Sequence, residues 1–433
     1  MNLVDIEFQH EHPGYDRSPT LGRRNGQLSP FQSLLRIMLA SAVTIPALVS
    51  GARADADDTF SVAAGYSLRH EDNLFHLPPG ADAQGATGKS GKSDDIGIAS
   101  LGFRLDKRYS LQRLQFEANL VNYRYRTFDY LTFTARNYAA AWSWQLTPFF
   151  QGNLTSNRTE ALNSFNDFTG YGVRNIRTDE NHRLDGILEL DGAWRLLGGV
   201  AQAVRTNSET FLEESDTRLN TVEAGVRRDF RSGSSLSLIT RRGRGEYFNR
   251  SGLSPTQQLD NAFEQREQEL KLNWPMSAKA TLQGRVAHLE RQHEHFPARD
   301  YSGQVGNLSV TLRATDKVLL TGGFTHALDP YQSDASSYTS TNRVSLGTLW
   351  RITGKTAVRG QYDVARRDFR GAITNSSADG RHDTLRHARI GIEWEPYRSV
   401  VLGAALEHER RDSNQSGYDF KNSTGTVSAQ FTF

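Results

Sequence analysis

The sequence predicts an all-β protein: a transmembrane antiparallel outer-membrane β-barrel with about 18 strands, or 16 as the alternative. Beyond residue 55, apolar and polar residues alternate with the period of two that is typical of half-buried strands. Short turns and long polar loops also alternate along the chain, as they do in bacterial outer-membrane barrels. A mean hydropathy of −0.58 is too polar for a helical membrane protein, and 10% aromatic residues are too many for a disordered chain.

The N-terminal region has the pattern of a secretory signal. Its hydrophobic run, residues 37–50, is shorter than the roughly 20 residues that a membrane-spanning helix needs. Arginines precede this run, and residues 52–54 read Ala-Arg-Ala, a cleavage motif. The sequence therefore predicts an N-terminal extension with a signal peptide at 1–54 and a barrel at 55–433.

Each predicted strand has one apolar face and one face of polar, charged or small residues. In one such run, Val344, Leu346 and Trp350 share a face, while Arg343 and Ser345 lie on the other. The weakest alternation lies between 174 and 207, which is why 16 strands is the alternative. The alternating runs, in chain order, are 58–71, 96–106, 111–127, 132–146, 149–160, 174–190, 195–207, 216–230, 234–248, 263–274, 278–291, 300–313, 317–328, 339–352, 355–369, 384–394, 399–411 and 420–433.

The connections between the runs are of two alternating kinds. Short turns join two runs directly, whereas long loops are rich in Asn, Ser, Asp and Gly. In bacterial outer-membrane barrels the short turns face the periplasm and the long loops face outside. The short turns lie at 106–108, 147–148, 231–233, 275–277, 315–317, 353–355 and 395–397, and the long loops include 76–94, 161–171, 249–261, 329–337 and 371–383.

Aromatic residues support the barrel independently of the alternation. All six tryptophans lie beside a predicted short turn, at the level of an aromatic girdle on the periplasmic membrane interface. The last run ends on Phe433, and outer-membrane barrels commonly end on an aromatic residue. The tryptophans are Trp142, Trp144, Trp194, Trp274, Trp350 and Trp394.

A barrel of about 18 strands is too wide for its inward side chains to fill, so the sequence predicts a water-filled polar lumen unless loops plug it. Arg285, Arg343, Arg359 and Arg389 form a candidate electropositive ladder, because arginine rings select anions. The other interpretation is that arginines and acids on adjacent strands pair and stiffen the wall. The candidate pore-lining residues are Arg285, Arg343, Arg359, Arg389, Arg69, Arg104, Arg227, Glu267, Glu269, Asp363 and Glu393.

The sequence predicts no catalytic, cofactor or metal site, and no enzyme. His288, Glu290, His293 and His295 are close in sequence, but they alternate faces along an extended strand, which disfavours shared metal ligation. The segment 71–75 is interpreted as a turn with an aromatic anchor rather than as a calcium loop. The chain has no cysteine, and its net charge of +2 argues against a nucleic-acid partner.

Three short motifs resemble those of a known family. Residues 65–78 read GYSLRHEDNLFHLP, residues 175–181 read NIRTDEN, and two turns contain Trp-Pro or Trp-Glu-Pro at 274–275 and 394–396. They are similar to the exopolysaccharide-biosynthesis outer-membrane β-barrel family, the EpsL-like proteins of polysaccharide operons. The resemblance implies a barrel associated with secretion of extracellular polysaccharide, and it assigns no catalytic residues.

The leading functional hypothesis is a channel in the cell outer membrane that exports an exopolysaccharide. The alternatives are a general or sugar-specific diffusion porin and, from another class, an outer-membrane enzyme that acts on polysaccharide or lipid. The expected partners are outer-membrane lipid, a polysaccharide, the barrel-assembly machinery, and periplasmic or inner-membrane export proteins. No nucleic acid and no cofactor are expected.

Overall fold

The structure, a computed structural model, describes residues 59–167, 172–209, 216–250, 259–333, 336–372 and 380–433. These residues form a single 18-stranded antiparallel sheet that closes on itself as a barrel. The prediction of an all-β barrel with 18 strands is confirmed. The predicted signal region at 1–54 lies outside the described residues. Within the described part of the chain, no helix has the length and apolar character needed to cross a membrane.

The strands follow one another around the barrel in chain order. They are β1 (Phe60–Glu71), β2 (Asp94–Tyr109), β3 (Gln112–Tyr125), β4 (Phe133–Thr147), β5 (Phe150–Leu162), β6 (Ile176–Glu189), β7 (Trp194–Asn207), β8 (Thr217–Asp229), β9 (Ser235–Tyr247), β10 (Ala262–Ser277), β11 (Ala280–His293), β12 (Tyr301–Arg313), β13 (Val318–Ser333), β14 (Ser336–Arg351), β15 (Thr356–Arg370), β16 (His382–Tyr397), β17 (Val400–Ser413) and β18 (Phe420–Thr432). The described helical segments are α1 (Ala83–Thr87) and 3₁₀ turns at Asp129–Leu131 and Pro297–Arg299.

The barrel closes through β1, which lies between β18 and β2. Residues 63–71 of β1 pair with β18 in an unbroken antiparallel register. The ladder between β1 and β2 is short, because only Phe60, Ser61 and Val62 have β2 partners. At the other end of the β1–β2 pair, His70 Nδ1 lies 2.8 Å from Asp95 Oδ1. A side-chain contact thus holds the two strands together beyond their ladder.

The alternative of 16 strands is excluded, because β6 and β7 are two full strands in the region of weakest alternation. They pair residue by residue from Arg177 opposite Asn207 to Glu189 opposite Arg195. Polar residues such as Glu180 and His182 interrupt the apolar face of β6 near its loop end, which blurs its pattern. The backbone ladder continues regardless, because it depends on neighbouring strands rather than on alternation.

One predicted loop is wrong. The segment 329–337 does not form a long loop, because β13 continues to Ser333 and β14 begins at Ser336. Asp329 pairs with Thr339 and Pro330 with Tyr338. This hairpin continues the ladder beyond the apolar band, where neither face needs to be apolar. The alternation that identifies strands is therefore absent although the strands continue.

The outer face of the barrel is an apolar band. Leu68, Val222, Leu346, Ile390 and Leu406 lie on five different strands, and each is more than half exposed. Exposed apolar side chains in such numbers would promote aggregation in water, but they are what a lipid-facing barrel surface requires. All six tryptophans lie near the strand ends that short turns connect.

Candidate functional site

The candidate pore is the inner face of the barrel, which charged and polar side chains line. On β14, exposed Val344, Leu346 and Trp350 alternate with Arg343, which therefore points inward. The same alternation places every pore-lining candidate on the inner face. They are Arg69 on β1, Arg104 on β2, Arg227 on β8, Glu267 and Glu269 on β10, Arg285 on β11, Arg343 on β14, Arg359 and Asp363 on β15, and Arg389 and Glu393 on β16.

The arginines of the predicted electropositive ladder mostly face acids on neighbouring strands. Arg359 donates two hydrogen bonds to Glu393, at 3.0 and 3.2 Å. Arg389 donates to Glu407 at 3.3 Å. Arg343 makes no ion pair within 4 Å to any acid in the described part of the chain. The geometry on β15–β17 therefore favours the interpretation of paired walls over that of a continuous positive ladder.

The fourth arginine belongs to a larger charge network. Arg285 donates to Glu267 at 2.7 Å and also to Glu269. Arg241, on β9, donates to the same two acids, at 2.5 Å and 2.7 Å. Glu269 has no exposed surface. Two cations and two anions thus alternate across β9–β11 and fix this part of the wall.

The network continues across β7 to β6 through Arg241 and Arg183, two arginines that sequence analysis did not name. Glu223 on β8 accepts a hydrogen bond from Arg241 at 3.0 Å and another from Arg183 on β6. Gly199 lies on β7, between the strands of Arg183 and Glu223. A Cβ at Gly199 would lie 3.1 Å from Glu223 Oε1 and 3.0 Å from the Leu184 carbonyl oxygen. The absence of a side chain at Gly199 therefore leaves room for the ion pair.

The remaining pore-lining candidates also lie beside opposite charges. Their contacts are Arg69–Glu71 at 3.6 Å, Arg104–Glu117 at 3.3 Å, Arg227–Asp229 at 2.6 Å and His387–Asp363 at 3.3 Å. The inner wall therefore carries both signs of charge in close alternation. Whether solutes pass along these residues stays a prediction.

An aromatic cluster covers part of the loop end of the barrel, which we call the outer mouth. Phe75, in the β1–β2 connection, lies edge-on to Phe128 at 4.6 Å and to Phe165 at 4.7 Å between ring centroids. These rings come from three different connections, and they pack on Ile96 and Ile98 of the inner wall. All five side chains are buried. The predicted aromatic anchor in 71–75 is Phe75.

His76 joins this cluster to β18, the strand that pairs with β1. Its ring stacks on Phe420 of β18 at 4.1 Å. Its Nδ1 lies beside Asn166 Oδ1, and Asn422 Nδ2 lies 3.4 Å from its Nε2. In this arrangement Nδ1–H donates and Nε2 accepts, which is the neutral tautomer. Burial lowers the pKa of His76 to about 4, because a buried imidazolium loses its hydration.

Three arginines converge on one acid at the outer mouth. Asp167, in the β5–β6 connection, accepts hydrogen bonds from Arg367 at 2.8 Å, Arg381 at 3.0 Å and Arg411 at 3.2 Å. Burial alone would raise the pKa of Asp167, but the three guanidinium groups outweigh burial and hold that pKa well below its ordinary value. Sequence analysis missed this site, because its residues are about 200 positions apart.

One group of side chains has the composition of a metal site. Asp260, Glu294 and His295 place one ligand atom each within 4.8 Å of one another. Asp260 already accepts hydrogen bonds from the backbone N–H groups of His295, Asn261 and Phe296. The hydrogen bond to Asp260 raises the pKa of His295. The carboxylate therefore has a structural role in joining two connections, and His288 and Glu290 are not part of the group.

A serine and a histidine meet on the outer face, where sequence analysis did not place them together. Ser156 Oγ lies 2.9 Å from His182 Nδ1, and His182 Nε2 lies 3.9 Å from Glu180 Oε2. Leu154 and Leu184, on the same faces of β5 and β6, are exposed to the membrane side. Glu180 accepts a hydrogen bond from Arg158 at 3.1 Å. The acid is therefore beyond hydrogen-bonding distance of the imidazole and is held by another partner.

Comparisons with known proteins give structural similarities only. No family model matches the chain, and no curated protein matches it. The structure of OccK1 (OpdK) from Pseudomonas aeruginosa has a TM-score of 0.49 and 10% identity over 86% of this chain and 99% of that one. A BenF-like porin from Pseudomonas fluorescens Pf-5 has a TM-score of 0.49 and 10% identity over 87% and 99%. OccK2 (OpdF) from Pseudomonas aeruginosa, in complex with glucuronate, has a TM-score of 0.47 and 12% identity over 87% and 98%.

The closed barrel, its apolar outer band and its charged inner wall define the class of the protein. A sheet can span a lipid bilayer only when it is closed, because every backbone N–H and C=O must find a partner inside the protein. The protein is an outer-membrane β-barrel, and its location is the outer membrane. The predicted resemblance to the exopolysaccharide-biosynthesis family stays a prediction.

Proposed function

We propose that the protein is a diffusion channel of the outer membrane for small hydrophilic solutes. The observation that carries the proposal is the inner wall, which is lined with charged residues around a barrel of 18 strands. A barrel of this size encloses water rather than a packed core, and a solute crosses it down its concentration gradient without a chemical step. Because most of the wall arginines face acids, we expect weak selectivity by charge.

The outer mouth favours small solutes over a polymer. Phe75, Phe128 and Phe165 pack together from three connections, and the Asp167 carboxylate lies against the arginines of β15–β17. Contacts between distant parts of the wall narrow the passage at this end. We therefore place the porin alternative above the export of an exopolysaccharide, which would need a wide and continuous path.

Planar-bilayer recording and liposome swelling test the proposal. The purified protein should produce ion-conducting steps in potassium chloride, and liposomes that contain it should swell in monosaccharides faster than in long oligosaccharides. A heat-denatured sample is the control for detergent leaks. A folded protein that neither conducts ions nor admits monosaccharides would contradict the proposal. Export would be favoured instead if deletion of the protein abolished secretion of a polysaccharide while the protein conducted nothing.

The contact between Ser156 and His182 supports a second candidate, a hydrolase that acts on membrane lipids. The serine Oγ would attack an ester carbonyl while the imidazole accepts its proton, and the imidazole would return that proton to the alcohol as the ester C–O bond breaks. Water would then hydrolyse the acyl-serine and release the fatty acid. Because Glu180 Oε2 lies 3.9 Å from His182 Nε2, the imidazole donates no orienting hydrogen bond to this acid. Release of fatty acid from phospholipid vesicles, lost in Ser156→Ala, would favour this candidate. No release above the Ser156→Ala background would exclude it.

A further inference from the structure

The three arginines at the outer mouth form an enclosed cation site. The side chains of Arg367, Arg381 and Arg411 retain only 8%, 4% and 3% of their exposure, whereas Asp167 retains 22%. A buried guanidinium needs acceptors that replace its lost hydration, and an anion is the strongest of these acceptors. Asp167 is the most exposed member of this cluster, so the site is most accessible at the position that Asp167 occupies.

Aromatic rings and one further acid fix the guanidinium groups. Arg381 lies 3.6 Å from the Tyr418 ring centroid and 4.1 Å from that of Phe369. It also donates two hydrogen bonds to Asp383, at 2.6 and 3.1 Å. Arg411 lies 4.9 Å from the Phe420 ring centroid. Arg381 and Arg411 therefore keep their positions through contacts that do not involve Asp167, and this part of the site is organised before its anion binds.

The anion in this site comes from another part of the barrel. Arg367, Arg381 and Arg411 belong to β15, the residue before β16, and β17. Asp167 belongs to the connection between β5 and β6, and β1–β4 and β18 lie between these two regions of the wall. Asp383 balances one of the three positive charges. Asp167 therefore adds a second negative charge to the cluster, and its carboxylate contacts all three guanidinium groups.

We propose that Arg367, Arg381 and Arg411 form a binding site for a carboxylate-bearing solute, and that Asp167 occupies this site until such a solute takes its place. The side chain of Asp167 ends in an acetate-like group, so a free carboxylate presents the same two oxygens to the same donors. Binding releases Asp167 from β15–β17 and frees the β5–β6 connection from the far wall. The arrival of the solute through the mouth rests on the proposed channel function.

Acetate is the simplest probe, and its binding can be measured without transport. In saturation-transfer NMR on the purified protein in detergent, Asp167→Asn should bind acetate at least about ten-fold more tightly than the wild type, because the competing carboxylate is absent. Asp129→Asn removes the same charge from another connection at this end and is the matched control, which should behave as the wild type. Adding Arg411→Gln to Asp167→Asn should abolish the gain.

Equal acetate binding by the wild type and folded Asp167→Asn would overturn the proposal, and so would a gain that persists with Arg411→Gln. A second measurement uses only the wild type. At constant ionic strength, replacing chloride by acetate should raise amide hydrogen exchange in 163–167, and unchanged exchange would also overturn the proposal. Because neither measurement needs transport, failure of this site is distinguishable from absence of conductance, which would contradict the channel instead.

Discussion

Lowering the pH should loosen the aromatic cluster at the outer mouth through His76. In the packed state Asn422 donates toward Nε2, so protonation of that nitrogen would place two N–H groups against each other. Arg411 nearby also disfavours the imidazolium, whereas Asp72 favours it. Packing of the cluster therefore stabilises the neutral imidazole of His76.

The size of the effect follows from the two pKa values. The pKa of His76 is about 4 in the packed state and 6.5 in an exposed state. The exposed state binds a proton at a pH where the packed state does not, so packing loses stability as the pH falls from about 6.5 to about 4. The full loss is about 3 kcal/mol, and at pH 5 it is about 2 kcal/mol. Above pH 7 the effect disappears.

Amide hydrogen exchange measures this loss directly. Between pH 7.5 and pH 5, protection of residues 74–77, corrected for the intrinsic exchange rate, should fall about thirty-fold, which corresponds to about 2 kcal/mol. His76→Gln keeps polar contacts but cannot titrate, so its protection should change little over the same range. Protection that is independent of pH in the wild type, or that falls equally in His76→Gln, would refute the reasoning.

Three further predictions concern the faces and ends of the barrel. Leu346→Arg should lower the free energy of unfolding in urea by about 2–4 kcal/mol, because it places a charge toward lipid. Ser345→Arg, on the inner face, should lower it far less. Equal losses of stability in the two variants would mean that the face assignment is wrong. Arg343→Glu should shift the reversal potential in a salt gradient toward cations, and an unchanged potential would show that Arg343 does not act on the pore. An epitope inserted after Lys89, in a long loop, should be labelled on intact cells, whereas one inserted at Pro148, in a short turn, should be labelled only after permeabilisation. The opposite result would show that the short turns face outside.

Alternation along the chain was sufficient to predict most of the barrel. A period of two with one apolar face determines which residues face lipid, since a shift of one residue would turn an entire strand over. The pattern therefore gave the strand number and the inner-face position of residues such as Arg285 and Glu269. It failed at 329–337, where the strands project beyond the membrane and neither face is required to be apolar.

The tertiary structure alone decided how the inner charges pair and what fills the outer mouth. Which acid an arginine meets depends on the register between strands, as for Arg359 and Glu393, and on a gap such as the one at Gly199. The contact of Asp167 with Arg411 joins residues 244 positions apart, and it depends on the path of a connection that has no periodic signal. Local sequence determines the faces of strands because the bilayer imposes the same rule on each strand, whereas contacts between connections arise only once the barrel has closed.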